Sequence, residues 1–413
     1  MSAPISDVLQ TLRERGFIQQ ISDETGLSDL VRRGPISFYC GFDPTASSLH
    51  VGSMIPLMAL AHLARAGHRP IAVLGGGTAM VGDPSGKTEL RQMLTVETIQ
   101  ENRRQIEPQV RLFLGAAANS ALVLDNADWL VPLNYLEFLR DIGRHFSVNR
   151  MLAAEAYRLR LEKGLSFIEF NYQLLQAYDY LVLFRQYGCA LQVGGDDQWG
   201  NILAGTDLVR RLHQAETYAL TFPLITTASG AKMGKTAAGA VWLSAERTSP
   251  FDFYQYFVNV DDRDVIRFLK LLSFVPMDEI ARYGALQGAE LREAKRALAH
   301  AVTEVVHGLE AADRAQAAAQ AAFGGGGGDL VPTFSVMPAD LSAGLRIVDL
   351  LHAAGLVVSK SAARRLIEQG GVKLGDRKIA LVDDCLRREE IAAEGTLLHA
   401  GKKHLRRIVI SRG

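Results

Sequence analysis

Three features of the sequence predict an α/β chain: a Rossmann-like parallel-sheet domain, then an α-helical domain, then a small α+β domain. First, "ISFYCGF" (36–42) and "RPIAVLGGGTAMVGD" (69–83) each open as a short apolar run and end in Gly or Asp. Between them "SMIPLMALAHLARAGH" (53–68) has helical periodicity, which makes a strand–helix–strand unit with ligands expected beyond the carboxyl ends of the strands. Second, the pattern from about Ser249 to Phe323 is helical and becomes Ala-rich near its end. Third, "FGGGGGDL" (323–330) reads as a flexible linker, after which short helices and strands alternate. The expected boundaries are 1–248, 249–325, a Gly-rich linker and connection at 326–343, and 344–413.

In chain order, Pro56 lacks an amide hydrogen and fits only a first helical turn, so the helix after the first strand should start near Val51 to Ser53. Residues 95–170 read as mostly helical and amphipathic. "FNYQLLQAYDYLVLFRQYG" (170–188) reads as a strong helix stopped by Gly188. "CALQVGG" (189–195) is a short buried strand running into "DDQWGN". There is no internal repeat.

The chain has 413 residues, 48% of them hydrophobic, enough for two or three domains with sizeable cores. Its 45 Lys+Arg balance 45 Asp+Glu, so no global field marks a polyanion binder. The balance hides an asymmetry. From Gly344 to Gly413 there are 14 Lys/Arg and 8 Asp/Glu, a net of +6, against −6 for the remainder. A basic tail on an acidic body implies a polyanion partner for the tail. Cys40, Cys189 and Cys385 have neither metal-type spacing nor an even number. The opening "MSAPISDVLQTLRERGFIQQ" lacks the apolar run of a secretory signal, and no run of 18 apolar residues occurs. A cytoplasmic protein, with no membrane partner, is expected.

Two tempting phosphate motifs fail. In "GDPSGKT" (82–88) only three residues separate Gly82 from Gly86, where a phosphate loop needs four. In "GGGTAM" (75–80) Met80 stands where a dinucleotide fingerprint has its third glycine. Three other stretches carry more. In "YCGFDPTASSLHVGS" (39–53), Gly41 allows close backbone approach and Asp43-Pro44-Thr45 is a turn. His50 precedes a helix start, where free amides favour anions. "GAKMGKTAAG" (230–239) sets Lys232 and Lys235 three apart in a Gly-rich segment, suited to meeting phosphate charge as it develops. In the 170–188 helix, Tyr172, Gln176 and Asp179 share one face amid apolar neighbours, and buried polar groups need partners, which a bound ligand can supply.

Taken together, "HVGS" resembles the HIGH motif of class I aminoacyl-tRNA synthetases and "KMGKT" their KMSKS loop. With "GDPSGK", "LQAYDYL" and "QVGGDDQWGN", the chain from about residue 10 to its end is very similar to the bacterial tyrosyl-tRNA synthetase family. The resemblance implies a catalytic Rossmann-like domain and a tail like the RNA-binding domain shared with a ribosomal protein. It implies that Asp179 and Tyr39 bind the phenol of tyrosine, that Tyr172, Gln176 and Asp83 hold its ammonium, and that Gln198 lies near its carboxylate. Cys40, Gly41, Asp43, Ser53, Gly195 and Asp197 fall to the nucleotide, and His50, Lys232, Lys235 and Thr45 to the phosphates and catalysis. Ser53 departs from the family, which often has a second histidine there, so altered ATP affinity is expected. Mg²⁺ carried with ATP, no tightly bound cofactor, no protein-held metal, a tRNA partner and a homodimer are likewise implied. Two alternatives stay open at this point: an adenylating enzyme of the same fold that selects tryptophan or charges no tRNA, and an RNA-binding protein with an inactive catalytic domain.

Overall fold

The computed structural model describes residues 8–85, 93–115, 120–153, 157, 161, 164–228, 230, 233–236, 239–324, 331–342, 344–401 and 404–411. The chain forms two compact units, Met1–Ile225 and Thr226–Gly413.

The first unit is built on a six-stranded sheet. Its strands are β1 (Gln20–Ile21), β2 (Ser37–Phe42), β3 (Arg69–Leu74), β4 (Leu122–Asp125), β5 (Cys189–Gly195) and β6 (Tyr218–Phe222), in the order β1-β6-β5-β2-β3-β4. All neighbours are parallel except β1, which runs antiparallel to β6 on one edge. The strand–helix–strand unit is present as expected. A 3₁₀ turn, Val51–Ser53, leads into the Met54–Arg65 helix, which has Pro56 in its first turn. Ten of that helix's twelve residues are buried, because a helix apolar all round has no face to give to water.

The Phe167–Tyr187 helix starts earlier than periodicity alone indicated. Ser166 Oγ accepts from the Glu169 N–H at 3.3 Å while Glu169 Oε2 accepts from the Ser166 N–H at 3.1 Å, a reciprocal cap. Gly188 ends the helix at φ 59°, a left-handed position that suits glycine. Most described residues of 95–170 are helical, as expected, but Leu122–Asp125 forms edge strand β4 against β3. Four residues are too few for a period to declare itself, and pairing with β3 supplies what the local sequence does not.

The second unit holds the expected helices, from Pro250–Val258 to Leu309–Gly324. The segment from Thr226 falls in this unit and is held there by hydrogen bonds. The Ala228 N–H donates to Asp264 Oδ2 at 2.8 Å, the Gly234 N–H to the Tyr256 hydroxyl at 3.1 Å, and Arg267 Nη2 to the Thr226 carbonyl. They tie the segment to the helices that follow it.

The penta-glycine stretch lies largely outside the described residues. The connection after it is more than a tether, since Thr333–Val336 is strand β9 in a five-stranded sheet. The other strands are β10 (Val372–Leu374), β11 (Arg377–Ile379), β12 (Thr396–Ala400) and β13 (His404–Ile410), in the order β11-β10-β12-β13-β9. Helices Ile347–Ala353 and Lys360–Glu368 pack on this sheet around Ile347, Leu350, Ile367, Val372, Leu398 and Ile408. Several tail cations are already engaged. Lys360 pairs with Asp349 at 2.7 Å, Arg407 Nε donates to Thr333 Oγ1 at 3.2 Å, and Arg406 grips both oxygens of Asp252 at 2.9 and 2.6 Å. Arg364 and Arg365 are exposed. Lys402 and Lys403 lie outside the described residues.

Candidate active site

The carboxyl ends of β2, β3 and β5 open into a cleft of about 330 Å³. Parallel strands deliver their ends to one edge of the sheet, and this collects residues far apart in sequence. Tyr39, Cys40, Gly41 and Asp43 come from β2 and just beyond, His50 and Ser53 from the following turn, and Asp83 from the loop after β3. Tyr172, Gln176 and Asp179 come from the long helix, and Gly195, Asp197 and Gln198 from the end of β5. All of these sequence candidates line the cleft. Thr45 does not. It is exposed, and its N–H donates to the Asp43 carbonyl at 2.8 Å. Lys232 lies outside the described residues, and Lys235 belongs to β7 (Lys235–Thr236), which pairs antiparallel with β8 (Gly239–Ala240) in the second unit.

At one end of the cleft, Asp179 is 4% exposed and both its oxygens accept. Trp129 Nε1 donates to Oδ1 at 2.7 Å and Asn126 Nδ2 to Oδ2 at 3.0 Å. Burial nonetheless pushes its pKa up to about 7 against the pull of those two donors. Beside it the Tyr39 ring sits edge-on to Tyr180, with centroids 5.3 Å apart. The Tyr39 hydroxyl and Gln192 Oε1 are buried without a partner among the described residues. Both residues line the cleft, and unpaired buried polar atoms are costly, so they mark a place for a polar ligand.

A second network lines another wall. Gln198 Nε2 donates to Asp83 Oδ2 at 2.7 Å, and the Ser85 N–H to Oδ1 at 2.8 Å. Asn201 Nδ2 reaches Gln176 Oε1 at 3.1 Å and Gln198 Oε1 at 3.2 Å. Gly82, at φ 86°, permits the turn that presents Asp83. The Tyr172 hydroxyl donates to Asp43 Oδ2 at 3.1 Å. Protein groups thus contact each of Tyr172, Gln176 and Asp179 on the polar face of the long helix.

At the turn into the Met54–Arg65 helix, His50 Nδ1 accepts from the Gly52 N–H at 3.0 Å and so caps it. A Cβ at Gly41 would meet nothing nearer than 4.0 Å, so the strand backbone itself borders open cleft. Cys40 is buried and its thiol is pushed up to about 12 by desolvation, so it contributes surface here and not a nucleophile. Among the described residues, no group of three His, Cys, Asp or Glu side chains could hold a metal ion.

Sequence reasoning missed Thr78, Asn126, Trp129, Gln192 and Asn201. Asn126 and Trp129 follow the strand that periodicity did not reveal. Gln192 sat inside a strand read only as buried. Thr78 lay in a motif rejected for its glycine spacing.

The profile of the family "tRNA synthetases class I (W and Y)" matches residues 32–324, and that of the S4 domain matches 345–381. Tyrosine–tRNA ligase from Caldanaerobacter subterraneus is 50% identical over 404 residues, covering 98% of this chain and 99% of that one. The Acetivibrio thermocellus tyrosine–tRNA ligase is 51% identical over 405 residues, at 98% and 99% coverage. Among solved structures, a C-terminally truncated mitochondrial tyrosyl-tRNA synthetase from Aspergillus nidulans superposes with a TM-score of 0.70 at 32% identity, covering 77% of this chain and 94% of that one. A family profile spanning most of the chain and relatives half identical over nearly all of it agree with the cleft: the chain belongs to the class I tRNA synthetases of the tryptophan and tyrosine (W and Y) family.

Proposed function

We propose that the cleft activates L-tyrosine with ATP, forms tyrosyl-adenylate with release of pyrophosphate, and passes the tyrosyl group to the 3′ end of a tRNA. The chain acts as a tyrosine–tRNA ligase. The observation that carries the choice of amino acid is the buried end of the cleft, where Asp179 and the unpartnered Tyr39 hydroxyl lie together. A phenol can donate to Asp179 and accept from Tyr39. Phenylalanine would leave both unmet, and an indole N–H could donate but could not accept. In this reading Tyr172, Gln176 and Asp83 hold the ammonium and Gln198 orients the carboxylate. Cys40, Gly41, Asp43, Ser53, Gly195 and Asp197 surround the nucleotide, with His50 at the phosphates.

The reaction needs positioning and charge stabilisation more than proton transfer. The substrate carboxylate attacks the α-phosphate in line, the bond to the bridging oxygen of pyrophosphate breaks, and the electron pair leaves with pyrophosphate. Mg²⁺ arrives as part of the nucleotide substrate. A hydroxyl of the tRNA terminal ribose then attacks the adenylate carbonyl and AMP departs. ATP–pyrophosphate exchange run with each amino acid tests the assignment, and exchange best supported by tryptophan or phenylalanine would overturn it.

Lys232 and Lys235 are assigned to the phosphates as the reaction proceeds. Replacing Lys235 with Ala should slow adenylate formation about tenfold, with tyrosine affinity nearly unchanged, because a lysine at the phosphates acts as charge develops on the leaving group. Single-turnover kinetics separates the two. Weakened tyrosine binding with an unchanged chemical rate would remove Lys235 from this role.

We also place the protein in the cytoplasm, where tRNA and ATP are found, and assign it a homodimeric state. No helix among the described residues is long and apolar enough to cross a membrane. Val131, Tyr135, Leu136, Val148 and Phe167, all from one stretch of chain, are 55–74% exposed, and a second copy would cover them. Sedimentation equilibrium should give the dimer mass, and Leu136→Asp should lower it toward the monomer. A monomeric parent protein would exclude the assignment.

A further inference from the structure

Two carboxylates of the cleft, Asp43 and Asp179, are joined by an unbroken run of hydrogen bonds. Asn126 Nδ2 donates to Asp179 Oδ2 and to Thr78 Oγ1, each at 3.0 Å. Asn126 Oδ1 accepts from the Gly77 N–H at 2.8 Å and from the Thr78 N–H at 3.4 Å. The amide therefore cannot turn over, since a flip would aim its NH₂ at two backbone donors. Thr78 Oγ1 must receive from Asn126, and its single proton goes to Asp43 Oδ1 at 2.9 Å. Every direction in the run is fixed.

Thr78 is 2% exposed, and water does not compete for its hydroxyl. The packing is also close. A Cβ at Gly75 would collide with both the Asp43 carboxylate and Thr78 Oγ1. The glycine loop rejected as a dinucleotide fingerprint thus has a different use: it lets a threonine hydroxyl reach between two side chains.

We propose that Thr78 is a positioning residue for amino-acid activation: its hydroxyl orients Asn126 and Asp43 together and so couples the carboxylate at the nucleotide end of the cleft to the one at the phenol end. The proposal rests on the assignment of Asp179 to the phenol and Asp43 to the nucleotide side. Without the hydroxyl, one hydrogen of the buried Asn126 loses its acceptor and Asp43 Oδ1 loses this donor, and networks of this kind respond as units. Asn126 then no longer holds Asp179 in a single orientation.

The test is equilibrium dialysis of radiolabelled L-tyrosine, without nucleotide, on the full-length protein. Thr78→Val should weaken tyrosine binding about tenfold, and Thr78→Ser, which restores the hydroxyl, should return it to within about twofold. If Thr78→Val does not fold, as read by its thermal melt, Thr78→Ala removes the hydroxyl without the extra methyl and is expected to behave alike. Asp43→Asn and Thr78→Val should be non-additive in a double-mutant cycle on tyrosine binding. Tyrosine binding by the hydroxyl-free variants equal to that of the parent, a serine variant as weak as valine, or strict additivity with Asp43→Asn would each overturn the coupling. Failure of the unaltered protein to bind tyrosine would instead overturn the assignment on which the coupling stands, so the two failures are distinguishable.

Discussion

Asp179→Asn is expected to weaken tyrosine activation about a hundredfold while leaving ATP binding nearly unchanged. Both oxygens of Asp179 accept hydrogen bonds, from Trp129 Nε1 and Asn126 Nδ2. An asparagine has one acceptor and one donor end, and whichever way it turns its NH₂ faces one of these two donors. The clash and the loss of a charged acceptor for the phenol together cost about 3 kcal/mol, roughly a hundredfold. Exchange kinetics with varied tyrosine, then varied ATP, reads the split. A wild-type dependence on tyrosine would take Asp179 out of the pocket.

The same residue sets a pH dependence. Its folded pKa, about 7, lies above the ordinary carboxylate value, so the folded state prefers the proton. The stabilisation from that preference is full at acid pH, below the ordinary value, and is lost as pH rises toward and through about 7. Tyrosine binding runs the other way, because only the ionised carboxylate accepts the phenol proton as a charged acceptor. Tyrosine affinity of the free protein should rise with pH to a plateau above about 7. The Asn variant should show no such rise, and a flat profile in the parent protein between pH 6 and 8 would exclude this role.

Removing residues 329–413 should leave tyrosyl-adenylate formation nearly intact and lower tRNA charging at limiting tRNA by roughly 10- to 100-fold, through lost affinity. The cut falls before β9, whose removal with the rest of its sheet leaves no orphaned strand. The tail's net charge of +6 predicts salt-sensitive phosphate contacts, and the truncated protein should show a shallower dependence of tRNA binding on salt. Arg364 and Arg365 are exposed cations of the Lys360–Glu368 helix, beside an exposed Lys360 that pairs with Asp349. Arg406, by contrast, is held by Asp252 and is not a free cation. Equal tRNA affinity in the two forms would remove the tail from RNA binding. Loss of exchange activity would show instead that the tail holds the catalytic body together.

The sequence alone determined the strand–helix–strand start, the long helix with its glycine stop, the helical middle and the basic tail. Each of these rests on local physics: a repeating apolar period, a missing proline amide hydrogen, a glycine free to turn left-handed, a count of charges. It also determined most of the cleft's lining, because residues at the carboxyl ends of parallel strands share one edge whatever the details. Tertiary structure alone decided the rest. Strand β4 is too short to announce itself, yet it brings Asn126 and Trp129 onto Asp179. The hydrogen bonds of Ala228 and Gly234 tie their segment to the helices that follow it, a link composition does not report. Thr78 acquired its place between two carboxylates only when chain segments dozens of residues apart were packed together. Periodicity reports which face of an element is buried, whereas the partner of a buried polar atom is a property of the assembled fold.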